Sequence, residues 1–383
     1  MPWTPGSDEI KALWTLDPAV HYLNHGSFGA TPRRVLAAQA TLRGELEREP
    51  IEFLGRQWPG RVAGVRARVA RFLGADPAGL CFVTNATMGV QAALDAIDWR
   101  AGDEVVVGDH GYNAVKQALR RLAEQRGVVV VEARIPFPLD DREQVVEAFS
   151  QATGSRTRLL VVDHVTSATA LVCPVHALVA LARARGVAIL VDGAHAPGMI
   201  PLDLEALGAD FYTGNLHKWV CAAKGAAVFY AGAAWRERVH CPLTSHGYGL
   251  GLHAEFDWPG TFDPTAWLSI PEALQHAEAL GWTTLRANNH ALVREGRERV
   301  AHALGVGLPH PDDPELYGSM AVIPYPAGRP GDGPALTARM YAEHRVEVPF
   351  TSYDGRTWVR VSGQAYNAPS DYSALASALS SFA

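Results

Sequence analysis

Lysine is scarce in this chain of 383 residues: only Lys11, Lys116, Lys218 and Lys224 occur, and arginine carries the rest of the basic charge. Such a bias reflects codon usage rather than chemistry, but it reduces any lysine-dependent reaction to four candidates. Cysteine is as rare. Cys81, Cys173, Cys221 and Cys241 lie far apart with no CxxC spacing, which argues against a disulfide framework or a zinc site and fits reduced cytoplasmic thiols. No apolar run approaches the roughly 20 residues that span a bilayer. The opening MPWTPGSDEIKALW lacks the basic head and apolar core of a secretory signal, so a cytoplasmic protein with no membrane partner is expected. Excess positive charge is missing too: 34 Lys and Arg stand against 40 Asp and Glu, a net charge of −6, which argues against nucleic acid as a partner. The 15 histidines show neither HExxH nor a tight pair at ligand spacing, so no metal site is expected.

Apolar material, by contrast, is ample. Hydrophobic residues make up 48% and charged residues 19%, which excludes disorder and predicts a sizeable core. From about 80 to 230 short β-branched runs alternate with helical stretches. The runs are CFVT (81–84), EVVVG (104–108), VVVVEA (128–133), RLLVVD (158–163), VAILVD (187–192), FYTG (211–214) and AAVFY (226–230). Helical segments such as 113–125 and 174–185, the latter with Pro174 in its first turn, lie between them. That alternation predicts an α/β fold, a mainly parallel sheet covered by helices on both faces. The Gly-, Pro- and His-rich tract 242–271 reads as a long functional loop, 271–306 as helix, and the rest, with AVIPY (321–325) and TWVRVS (357–362), as a small α+β domain. We expect a large domain over 16–255 and a small one over 256–383, with 1–15 packing on the latter.

Ligands in open α/β sheets sit beyond the carboxyl ends of the strands, so the residues that follow each run carry the functional reading. After CFVT, Asn85-Ala86-Thr87 opens a helix, which suits a phosphate but equally a plain N-cap. After EVVVG come His110 and Tyr112, either of which can stack on a planar ligand. Ser167 belongs to a hydroxyl cluster after RLLVVD, and Asp192 closes VAILVD ahead of Gly193-Ala194-His195. Asp192 needs a positive partner or a turn to cap. FYTG leads into Asn215, His217 and Lys218, whose ammonium loses water at a strand end and becomes a nucleophilic amine. Lys224, beside Gly225, is the rival; Lys116 reads as solvated and Lys11 precedes the sheet. A phosphate cradle, a stacker, a buried acid and a desolvated lysine on successive strand ends are what pyridoxal phosphate requires.

The chain resembles the pyridoxal-phosphate enzymes of fold type I, class V aminotransferase family, in the branch of isopenicillin N epimerase and related C–S lyases. The resemblance rests on YLNHGSFGATP (22–32), TNATMGVQ (84–91), DHGYNAV (109–115), DHVTSATA (163–170), VDGAHAPG (191–198), NLHKWVCAAKG (215–225), WPGTFDPT (258–265) and VRVSGQAYN (359–367), in order over nearly the whole chain. It implies a large domain with a mainly parallel seven-stranded sheet sandwiched by helices and a small α+β C-terminal domain. It implies Lys218 as the Schiff-base lysine, Asp192 on the pyridinium nitrogen and His195 near the phenolic oxygen. Asn85, Ala86, Thr87, Asn215 and His217 would hold the phosphate end, with Ser167 also on the cofactor. Tyr112 would stack on the ring, with His110 the alternative. Arg360 would grip the substrate carboxylate near a loop of Asn24, His25, Ser27 and Phe28. Thr261 would reach the phosphate of the other subunit, implying a homodimer with shared sites. The activity implied is epimerase or aminotransferase chemistry on an amino acid, with Tyr112 or His25 as a second acid; the alternative is a C–S β-lyase on a cysteine conjugate or sulfoxide. A persulfide-relay desulfurase is disfavoured because no cysteine follows Cys241. A Rossmann dehydrogenase is excluded by the absence of GxGxxG. A degenerate, inactive chain is argued against by the intact Lys218, Asp192 and Arg360. Loops 24–30, 50–58 and 244–263 are expected to shape the substrate pocket.

Overall fold

The computed structural model describes residues 3–329 and 331–381. Met1 and Pro2 of the expected 1–15 segment, and Pro330, Phe382 and Ala383 of the expected small domain, lie outside the described residues. Seven strands build the main sheet: β1 (Leu80–Val83), β2 (Glu104–Gly108), β3 (Val129–Ala133), β4 (Thr157–Asp163), β5 (Ala188–Asp192), β6 (Phe211–Asn215) and β7 (Ala227–Ala231). Their order is β1-β7-β6-β5-β4-β2-β3. Only β7 runs against its neighbours; the pairs from β6 to β3 are all parallel. Because β7 opposes both β6 and β1, the other six strands share one direction, and the segments that follow them leave the sheet at one edge.

Alternation explains the two-faced burial. Val105 and Val107 of β2, Leu159 and Val161 of β4 and Leu190 of β5 enter a core with Val90 and Leu119. Those last two belong to the helices α1 (Ala86–Asp95) and α2 (Asn113–Arg126). Val106, Leu160, Val162, Ile189 and Val191 face the opposite core with Leu178 of α3 (Val175–Arg185). Pro174, expected inside the first turn, stands one place earlier, as the residue before the helix.

Two segments differ from expectation. The tract 242–271 is not all loop, since Leu252–Phe256 and Thr265–Leu268 are helical turns. The helix expected over 271–306 is two, α4 (Ile270–Leu280) and α5 (Trp282–Leu304), broken at Gly281. A second, antiparallel sheet in the order β9-β10-β8 joins β8 (Met320–Pro324), β9 (Phe350–Tyr353) and β10 (Arg356–Ser362). No helix among the described residues is long and apolar enough to cross a membrane.

The amino-terminal segment ties the two sheets together. His21–Tyr22 pairs in parallel with Val346–Glu347, the Ser362 N–H donates to the Leu23 carbonyl, and the Gly26 N–H donates to Ser362 Oγ at 3.1 Å. The loop 24–31 is thereby pressed between β10 and the residues after β6. Gly29 permits this: its φ is +71°, and a Cβ there would stand 2.1 Å from the His217 carbonyl oxygen. Gly186, at the end of α3, has a similar φ of +63° but open space around it. Gly29→Ala is therefore expected to cost about 2 kcal/mol or more, against about 1 for Gly186→Ala. Thermal unfolding of the two variants checks this, and equal losses would remove the close approach as the cause.

Candidate active site

The segments leaving the carboxyl edge of the sheet enclose a cavity of about 590 Å³. Of the residues expected in the site, it brings together Asn85, Ala86, Thr87, Tyr112, Ser167, Asp192, His195, Asn215, His217, Lys218, Ser27 and Phe28 on one wall system.

At one end lies the start of α1. Asn85 does cap it, its Oδ1 accepting the Met88 N–H at 3.1 Å, so the capping reading holds while the residue also faces the cavity. The Ala86 N–H donates to Asn215 Oδ1 at 2.9 Å, which locks the end of β6 to the end of β1. His217 bonds through Nδ1 to the Ala226 carbonyl at 3.2 Å. Burial, and then the Lys218 charge, lower its pKa to about 4, so this imidazole is neutral near pH 7. A helix N-terminus, a threonine and a neutral histidine form an anion cradle.

At the other end is the acid. Asp192 is buried, and its Oδ1 accepts one backbone N–H, that of Ala194, at 2.9 Å. Burial raises its pKa, opposed by that N–H and by Lys218. No salt bridge from a described residue reaches it, and a buried carboxylate without one is short of a cation.

Between these ends Lys218 is 8% exposed, its Nζ 3.1 Å from His195 Nε2. Trp219 Nε1 donates to His195 Nδ1 at 3.4 Å. That leaves the single proton of a neutral imidazole on Nε2, the atom nearest the Lys218 amine. Burial first, and then the Arg360 charge, lower the Lys218 pKa to about 7, against the opposing pull of Asp192. At about 1.4 kcal/mol per unit, that shift is on the order of 5 kcal/mol against the ammonium.

Arg360, on β10 of the second sheet, is not itself a lining residue but bonds to two that are, Ser167 and Ser27. One terminal nitrogen donates to the Ser167 carbonyl at 2.7 Å and the other to Ser27 Oγ at 3.0 Å, while its buried Nε has no partner. Burial lowers its pKa to about 10, which still leaves it charged. The guanidinium is fixed and short of one acceptor, as a carboxylate grip requires.

Other expected residues lie elsewhere. His25 is fully buried behind the wall, with Nδ1 2.8 Å from Tyr366 Oη and Nε2 3.0 Å from the Lys218 carbonyl. It braces the lysine backbone and offers no free nitrogen to a ligand. Asn24 spends its amide on Glu347 and its oxygen on the Ser27 hydroxyl, so it supports Ser27. His110 is buried against Tyr353, ring centroids 3.9 Å apart, and bonds to Thr169; Tyr112 lines the cavity. Thr261 is exposed and stands outside this wall. Of the loops expected to shape the pocket, only Ser27 and Phe28 from 24–30 line it; 50–58 and 244–263 do not, and Ile51–Gln57 is helical. Lys116 is not simply solvated, since its Nζ donates to the Asp109 carbonyl at 2.7 Å. Lys224 does line the cavity, but it is exposed and bonded to Thr31 at 3.0 Å. Among the described residues no group of three or more His, Cys, Asp or Glu is placed to hold a metal. Sequence reasoning missed Asp163, which lines the cavity beside Asp192. Its signal was there: RLLVVD ends on an acid as VAILVD does.

The family described as aminotransferase class-V matches residues 22–332. The chain is 34% identical to the isopenicillin N epimerase of Amycolatopsis lactamdurans, over 98% of each chain. It is 32% identical to a putative L-cysteine desulfhydrase of Oryza sativa subsp. japonica, covering 95% of this chain and 83% of that protein. Among solved structures it superposes on a C-DES variant with glycine covalently linked to its PLP cofactor, with a TM-score of 0.77 over 95% of this chain and 97% of that one. Identity there is 20%, so that likeness speaks to the fold.

The amine state is testable in the apoprotein. A folded pKa near 7 means that Lys218 is protonated and inert below it and free above it. The rate of pyridoxal phosphate capture is expected to rise through pH 7, with the midpoint moving upward in Arg360→Ala. A midpoint near 10 would show that the amine is not desolvated.

Proposed function

The chain belongs to the aminotransferase class-V family and is a pyridoxal-phosphate enzyme, and on that premise we propose that it is a C–S β-lyase acting on a cysteine-type amino acid. The residues fit the cofactor: an anion cradle at α1, a buried acid short of a cation, and between them an amine whose pKa burial lowers to about 7. In this reading Thr87, His217, Asn215 and the start of α1 take the phosphate, Asp192 the ring nitrogen, His195 the phenolic oxygen, and Tyr112 the ring face. Bound there, the cofactor supplies an electron sink for negative charge at the substrate α-carbon.

The chain's own residues do the rest. Arg360, fixed by Ser167 and Ser27, orients the substrate carboxylate. Lys218 Nζ takes the α-proton; the C–S bond then breaks with its electron pair leaving on sulfur, and the Lys218 ammonium returns the proton to the departing thiolate. His195, holding its proton on Nε2, keeps the amine lone pair oriented.

The observation that carries this reading is the placement of His25. Elimination needs one base, and Lys218 supplies it. Inversion needs a second acid on the other face, and His25, one of two candidates, is sealed behind the wall with both ring nitrogens engaged. A second reading, epimerisation, is favoured by Tyr112, which lines the cavity and is 47% exposed. The names of both relatives are compatible with this site. We further propose a homodimer in which Thr261 of a second copy reaches the phosphate, supported by the exposure of Phe28 (70%) and Tyr112 at the cavity.

Proton NMR of the holoenzyme in heavy water with L-cysteine conjugates decides between the readings. Pyruvate, formed with ammonia when the enamine left by C–S cleavage tautomerises and is hydrolysed by water, is the expected product; deuterium at the α-carbon with accumulating D-isomer and no pyruvate would overturn elimination. Losing hydrogen bonds to a charged group costs about 1.5–3 kcal/mol, so Arg360→Ala is expected to lower kcat/KM about 10- to 100-fold in steady-state kinetics. Lys218→Ala is expected to abolish turnover.

A further inference from the structure

The cavity holds a second acid. Asp163 ends β4 as Asp192 ends β5, and the two are register partners in adjacent parallel strands. Registered neighbours in a parallel pair point their side chains to the same face, with backbones about 4.8 Å apart. Both residues line the cavity. Two neighbouring carboxyls with little access to water do not both ionise; one keeps its proton and the other takes the charge. What surrounds them settles which one. Asp192 accepts the Ala194 N–H and feels the Lys218 charge, and both favour its anion. Asp163 is raised the further of the two, by burial and then by Asp192, against weaker help from Lys116 and from backbone N–H groups including that of Tyr112. Cys173 and Tyr212 also face the pair, and their own pKa values are pushed upward, so neither adds charge near pH 7. The Tyr112 amide is among the groups that favour the Asp163 anion, and Tyr112 itself precedes α2 and lines the cavity.

We propose that Asp163 is a positioning residue of the cofactor site, a protonated carboxyl that donates its hydrogen to the Asp192 carboxylate and holds the Tyr112 backbone in place. This rests on the assignment of Asp192 to the cofactor's ring nitrogen. By sharing the Asp192 charge, Asp163 weakens that acid's hold on the ring proton and thereby sets how strongly the ring draws electrons. Asparagine at this position keeps a donor toward Asp192 and an acceptor toward Tyr112, whereas alanine keeps neither.

Two measurements test it. In the apoprotein at pH 7, infrared difference spectroscopy of wild type against Asp163→Asn is expected to show a buried protonated carboxyl band that the variant lacks; no such band in the wild type, or its persistence in the variant, overturns the proposal whatever reaction the enzyme performs. In the holoenzyme, the pH titration of the bound cofactor's absorbance is expected to stay in place in Asp163→Asn and to move by about one unit or more in Asp163→Ala. An Asp163→Asn shift as large as that of Asp163→Ala, or equal titrations in wild type and Asp163→Ala in a protein without the apoprotein band, overturns it. The apoprotein band present with no shift in any variant would instead sink the Asp192 assignment.

Discussion

The desolvation of one amine is the constraint on which this structure turns. Lys218 follows a fully buried strand and stands between a neutral imidazole and a fixed guanidinium. Water would restore the ammonium and remove the nucleophile. Trp219 on His195 and His25 on the Lys218 carbonyl hold the chain around it in place. The cost of that burial falls on the fold, which meets it with two apolar cores on either side of one sheet.

Charge around the amine is distributed rather than paired. Arg360 and Asp192 act on Lys218 in opposite directions, and neither is salt-bridged to it. The guanidinium is held by a carbonyl and a hydroxyl, which fix it without neutralising it. The carboxylate is held by one amide. Neither group is paired with an opposite charge among the described residues, and the partly desolvated setting strengthens the field of each. The same logic makes the Asp163–Asp192 pair informative: a second acid beside the first is costly unless its proton is useful.

The two sheets meet directly, Arg360 on Ser167, Thr351 on Ala168 and Tyr353 on Asp109, and the amino-terminal segment adds a further tie. His21–Tyr22 on Val346–Glu347, and Gly26 on Ser362, bring Ser27 to Arg360. The Arg360 end of the site thus depends on residues separated by 333 positions in the chain, while the wall from Asn85 to Lys218 is built within one stretch of it.

That separation divides what the sequence determined by itself from what tertiary structure decided. Strand and helix periods are local, so the seven runs, the switch to α+β after 306 and the strand ends where Lys218 and Asp192 stand were legible residue by residue. So was the family, whose motifs are contiguous. The break at Gly281 and the turns inside 242–271 were less so, because each depends on packing against other elements. The aim of single side chains was not legible at all. His25 and Tyr112 both sit in family motifs, yet one is sealed against the Lys218 carbonyl 193 residues away and the other opens on the cavity. Asp163 became part of the site only through β-sheet register with Asp192. A motif names the residues near a site; which of them face it is set by the neighbours that fill the space behind them, and those come from distant parts of the chain.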